Sequence, residues 1–202
     1  MTGGIGIHSG PRLESCKWFV QHHRTENPSL DEHPGSSPGS PTSKRRKDMD
    51  LIKVQTSYFY QIRNFTPNMV PLSTAMWDPK WYYQGVQGKP YIDKRGIING
   101  LRATPFVPNK DIDCDCPTCD HSHSDTCRFL RQYYLQLQQL DPQDIMKRLR
   151  RIVEFHYENY PFEGIGTAVL MFHEAPNNPC SERWMVQKWF SSFGNPIEEF
   201  II

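Results

Sequence analysis

The run Ala168–Phe172, AVLMF, is apolar and of β type, and it lies between two stretches that repeat their apolar residues with helical period. Upstream, Ile145, Leu149, Ile152, Val153 and His156 mark an amphipathic helix that stops before Pro161. Asp141 and Pro142 supply its N-cap and first-turn residue. Downstream, Met185, Val186, Trp189 and Phe190 mark a last helix over roughly Glu182 to Ser192, with Gly194 just past its end. An earlier helix, capped by Asp125 or Thr126, places Phe129, Leu130, Tyr133, Tyr134, Leu137 and Leu140 on one face. The order helix, strand, helix predicts an α/β domain, a three-layer sheet with flanking helices.

A chain of 202 residues has room for one ordinary domain with a proper core. Residues 1–49 are rich in Pro, Ser and Gly and end near the basic run SKRRK, Ser43–Lys47. They read as a disordered tail whose charges are either solvated or a nucleic-acid anchor. Residues 50–202 read as the α/β domain. Its first strands are expected at Leu51–Tyr60 and Asn68–Trp77, and the aperiodic stretch from Asp78 to Lys110 is expected to form loops, with Gly96–Phe106 extended. Formal net charge is +1, so bulk electrostatics favours neither an acidic nor a basic partner. The basic cluster Lys147–Arg151 is either a phosphate contact or a solvated helix face. No apolar run approaches the ~18 residues of a membrane span, which predicts a soluble cytoplasmic protein without a membrane partner.

Between the strand and the last helix lies a polar hinge, HEAPNNPCSER, residues 173–183. In an open α/β sheet, ligands bind beyond the carboxyl ends of strands, where following helices present unpaired N–H groups. Ser181 is a good N-cap, and Arg183 falls in the first helical turn, where the helix dipole opposes a cation unless an anion is near. Arg183 therefore reads either as an anion contact or as an ion-pair partner of Glu174 or Glu182. Glu174 suits general acid or base work if desolvated by its strand, or else it pairs with Arg183. His173 is a proton carrier or a structural strand-end residue. Cys180, beside a helix N-terminus and an arginine, is a candidate nucleophile or a small core residue. Arg63 and Arg102 lie near the presumed sheet edge, and their convergence on Arg183 would mark a substrate pocket.

Known motifs do not fit the hinge. Cys180 and Arg183 stand too close together to form a tyrosine-phosphatase loop. The His-Glu pair followed by Pro-Cys lacks the second cysteine of a zinc deaminase, where Arg183 stands instead. Asn177 occupies the place of the second zincin histidine. The segment VLMFHEAPNNPCSERWMVQKWF does resemble the C-terminal signature of the bacterial and phage domain-of-unknown-function 488 family. There an apolar strand ends in a Cys-Glu-type pair and leads to Cys-His-Arg at a terminal helix. Glu174, Cys180 and Arg183 match; His173 stands for the first Cys, Ser181 for the His, and Glu182 is extra. The likeness extends loosely over 51–202 and is similar to a branch with a Cys-rich insertion. It implies an α/β domain with a pocket at these strand ends and names no substrate.

Four of the six cysteines, Cys114, Cys116, Cys119 and Cys127, crowd one loop together with His121 and His123. Thiolates this close are expected to close a tetrahedral structural zinc site, in which either histidine is able to replace a cysteine. Four protein ligands leave no open position, so the metal would order the loop without taking part in chemistry. Two functions follow. One is an enzyme acting on a nucleotide, nucleic acid or other anion, with Arg183 and Ser181 at the anion and Glu174, His173 and Cys180 carrying the chemistry. The other is a non-catalytic, zinc-stabilised interaction module presenting Trp81, Tyr82 and Tyr83.

Overall fold

The protein's structure, a computed structural model, describes residues 52–83, 89–112 and 127–202. The N-terminal tail and three of the four zinc-ligand candidates, Cys114, Cys116 and Cys119, lie outside the described residues, as do His121 and His123.

Six strands are present among the described residues: β1 (Lys53–Tyr58), β2 (Met69–Ser73), β3 (Tyr91–Ile92), β4 (Ile98–Asn99), β5 (Thr167–Phe172) and β6 (Glu198–Glu199). Three α-helices accompany them: α1 (Arg128–Leu137), α2 (Pro142–Asn159) and α3 (Arg183–Ser192). The main sheet has the order β2-β5-β1-β6, and every pairing in it is parallel. The domain is therefore α/β, with β3 and β4 forming a small antiparallel hairpin apart from the sheet.

β5 lies between β2 and β1 and is buried along its whole length. Ala168, Leu170 and Phe172 enter one core and Val169 and Met171 the other, which is why its sequence shows no alternation. All three helices pack into the first core, through residues such as Leu130, Tyr133, Leu149, Val153, Val186 and Phe190. The second core is closed by the 3₁₀ turn Phe59–Asn64, the turn Lys80–Tyr82 and Ile97. Pro71 sits within β2 without cost because β2 is an edge strand and needs no donor on its outer side.

The elements end where local chemistry ends them. Asp141 caps α2 by accepting from the backbone N–H groups of Gln143 and Asp144, at 2.7 and 3.1 Å. Gly194, with φ +77°, follows α3 in a conformation that favours glycine. β1 is shorter than the expected Leu51–Tyr60 at its carboxyl end: Phe59 and Tyr60 belong to a 3₁₀ turn, which carries Phe59 into the second core. β2 likewise ends at Ser73, short of Trp77. Gly166 precedes β5 for a steric reason, since a Cβ there would lie 2.3 Å from Val153 Cγ1 on α2.

Candidate functional site

The chain leaves β1 through a 3₁₀ turn of the second core and leaves β5 toward α3 of the first core. Neighbouring strands whose continuations part to opposite faces mark the point at which open α/β sheets bind ligands, outside the carboxyl ends of the strands. The hinge 173–182 leaves the carboxyl end of β5 at this point.

Arg183 is the largest fully buried side chain of the domain. Its Nη2 donates to the Glu174 carbonyl at 2.6 Å, and its Nε lies 3.1 Å from Glu199 Oε2 on β6. Of the two alternatives for this arginine, an ion pair is present, but with an acid of β6 rather than with Glu174 or Glu182. Thr56 on β1 donates to the same Glu199 oxygen at 2.5 Å and accepts from Gln187 at 2.7 Å, so β1, β6 and α3 meet in one polar joint. Nη1 of Arg183 and Oε1 of Glu199 have no hydrogen-bond partner. Burial pulls the guanidinium below its ordinary range, against the pull of Glu199, Glu174 and Glu182. Burial likewise raises the Glu199 carboxyl, against the Thr56 bond and the Arg183 charge.

Glu182 is the residue whose chemistry the environment changes most usefully. Burial first, and then the Glu174 carboxylate beside it, push its carboxyl up to about 7. Ser181, fully buried, donates to Glu174 Oε2 at 3.4 Å and accepts from the Arg183 N–H at the same distance. Glu182 itself occupies the cap position of α3, in helical conformation and without a side-chain cap bond, so Ser181 stands one residue outside the cap it was expected to be.

The other candidates divide. His173 is exposed; its Nε2 donates to the Trp77 carbonyl, and its ring lies 5.2 Å from Phe59. Cys180 is half-buried, its N–H donating to Asn178 Oδ1 at 2.9 Å. Arg102 is bound at the end of β2 by Asp78 at 2.6 Å, and Ser73 donates to the same carboxylate. Burial raises Asp78 although both partners lower it. Arg63 is exposed on the 3₁₀ turn, its guanidinium 3.6 Å over the Tyr60 ring. Each of the three arginines thus has its own partner, and no hydrogen bond or ion pair joins them. Cys127 is buried at the N-cap of α1, and no metal-binding group of three or more ligands is present among the described residues. Tyr82 and Tyr83, expected on a binding surface, are buried; the Tyr82 hydroxyl donates to the carbonyls of Pro71 and Leu101, both at 2.9 Å, and only Trp81 of that trio is exposed.

A cavity of about 610 Å³ opens at the opposite, amino ends of β2 and β5, with Pro67, Asn68, Tyr157, Phe162 and Glu163 among its walls. It carries a single carboxylate and no paired base, whereas the hinge has both. No helix among the described residues is long and apolar enough to cross a membrane. Comparison with protein-family models, curated proteins and solved structures finds no match for this chain.

Proposed function

We propose that the hinge is an acid–base site for an anionic substrate of the nucleotide or nucleic-acid class. The observation that supports it is the Glu182–Glu174 pair past the carboxyl end of β5, with the Glu182 carboxyl pushed up to about 7. A carboxyl poised there is both donor and acceptor at neutral pH, the condition for efficient general acid–base work. Glu182 is the proton donor, Glu174 its acceptor partner, and His173 Nδ1 a relay at the mouth. Cys180 lines the hinge and takes the nucleophile's place if the reaction is covalent. Arg183, wholly buried with Ser181, positions Glu174 through its carbonyl and lends its charge to the substrate site from beneath. Arg102 contributes its field from the Asp78 pair.

Three carboxyl groups act on this one guanidinium. An anion entering such a site raises the pKa of the pair, so binding takes up a proton. Calorimetric titration of adenosine monophosphate and of a short oligonucleotide, each in two buffers of different ionisation heat at pH 6 and pH 8, tests this. Proton uptake and tighter binding at pH 6 are expected, and Glu182→Gln should flatten the pH dependence. Absence of binding, or binding indifferent to pH in the unaltered protein, refutes the reading.

The resemblance to the domain-of-unknown-function 488 family belongs to the same proposal, as a shared plan of Glu174, Cys180 and Arg183. So do the three-layer arrangement and a structural zinc held by Cys114, Cys116, Cys119 and Cys127, the last at the N-cap of α1.

A second reading, the non-catalytic interaction module, is favoured by the complete burial of Arg183 and its pairing with Glu199. In that reading the hinge is a joint that fixes the face around it.

A further inference from the structure

Three large aromatic side chains near the carboxyl ends of β1 and β2 are more than half exposed: Tyr60 at 58%, Trp77 at 59% and Trp81 at 53%. Single exposed aromatics are ordinary, but these are linked. Buried Phe59 meets Trp81 edge-on at 6.1 Å and His173 at 5.2 Å, and His173 in turn holds the carbonyl of Trp77. Tyr60, the next residue, lies parallel to Tyr58 at 6.3 Å and carries the Arg63 guanidinium on its face. The remaining exposed large apolar residues are Leu135, Phe155, Tyr160 and Ile165, on α1, at α2 and on the approach to β5, and Ile201 and Ile202 after β6. The linked side chains themselves, from Tyr60 to Trp77 and Trp81, are aromatic.

We infer that this patch is a stacking shelf for the unpaired bases of single-stranded nucleic acid. The inference rests on the nucleic-acid reading of the hinge and narrows it. Every base offers a π-face to an indole or phenol ring, and in a duplex those faces are covered by neighbouring pairs. Neither indole N–H of Trp77 and Trp81 is hydrogen-bonded among the described residues, so both are available to phosphate or base-edge oxygens. The Arg63 side chain has no ion pair there either; stacked on Tyr60, it keeps its N–H fork for a phosphate. Exposed Lys80 lies between the two tryptophans in sequence and adds a second cation. His173 joins the shelf to the hinge.

Fluorescence anisotropy of an end-labelled oligothymidylate, with unlabelled duplex and thymidine monophosphate as competitors, tests the shelf in the full-length protein. The single strand should bind more tightly than either competitor. Trp77→Ala and Trp81→Ala should each weaken it about 5- to 150-fold, the range of one lost base–aromatic stack. Trp77→Phe and Trp81→Phe, which keep a ring, should retain most of the affinity. Arg63→Gln should lower the slope of log affinity against log salt by about 0.7, one phosphate contact on a single strand. Equal binding of single strand and duplex, or alanine variants that bind like the unaltered protein, overturns the shelf and leaves the hinge reading standing. Loss of binding in the phenylalanine variants equal to that in alanine also overturns it, because stacking is then not what was removed. No binding of oligonucleotide or mononucleotide at all overturns the nucleic-acid class itself.

Discussion

Replacing Arg183 by alanine separates a joint from a display site. The side chain is wholly buried, and its removal leaves Glu199, whose carboxyl side chain is 11% exposed, with the Thr56 hydroxyl as its one remaining hydrogen-bond donor. The Glu174 carbonyl loses its 2.6 Å donor at the same time. An unpaired charge left in such surroundings costs about 3–5 kcal/mol. For a domain of this size each kcal/mol lowers Tm by about 2–4 °C, so a loss of roughly 6–20 °C is expected. The cost should grow from pH 5 to pH 8, because Glu199 is already raised and escapes part of the penalty by taking a proton at low pH. Urea and thermal melts of Arg183→Ala, Glu199→Gln and the double variant measure the coupling directly. The double variant should recover much of the single-variant loss. A loss below about 1 kcal/mol, the scale of an exposed pair, or strictly additive effects would refute the burial argument and return Arg183 to the role of a displayed cation.

Glu182 makes a second prediction. Its folded-state carboxyl titrates at about 7 against an ordinary 4.5, so the folded state holds the proton more tightly; that contribution is complete below pH 4.5 and is lost as pH rises through 7. Glu182→Gln keeps the site neutral, and melts from pH 5 to 8 should show a flatter profile and a higher Tm than the unaltered protein above pH 7. Gly166→Ala should destabilise by about 1–3 kcal/mol through the Val153 clash, and Val153→Ala should relieve part of that loss in denaturant titrations of the double variant. About one zinc per chain is expected by elemental analysis, with a lower Tm after chelation; an unchanged Tm on chelation removes the structural metal from the proposal.

The sequence carried the elements whose signals are local. The cap at Asp141, the apolar stripes of α1 to α3 and the continuous run of β5 all reappear close to where periodicity puts them. What it hid is long-range. β6 is two glutamates, Glu198 and Glu199, with no strand pattern, and it forms because β1 offers a free edge. Without β6 the partner of Arg183 was invisible, and the acids beside it in the hinge were the natural alternatives. Tyr82 and Tyr83 failed as surface residues for a related reason: an aperiodic loop says nothing of which ring turns inward, and Phe59 and Tyr82 pack ring to ring at 5.2 Å beneath exposed Trp81. The raised carboxyl of Glu182 required knowing that Glu174 returns beside it across the two prolines of the hinge.

The sheet order has a consequence for how the molecule acquires its site in time. β1 begins the described sheet, yet its partners are the last two strands among the described residues, and the bond from Thr56 to Glu199 spans 143 residues. Closing so large a loop costs chain entropy before any contact rewards it, so sheets of this kind assemble in milliseconds to seconds, late in folding. α1 and α2, neighbours in sequence, can form well before that step. Until β6 docks, Arg183 lacks Glu199, its ion-pair partner at 3.1 Å, and the polar joint with Thr56 is incomplete. Burial of the arginine and completion of the sheet are therefore coupled, and a chain arrested short of that step would carry its helices without the joint that fixes the hinge.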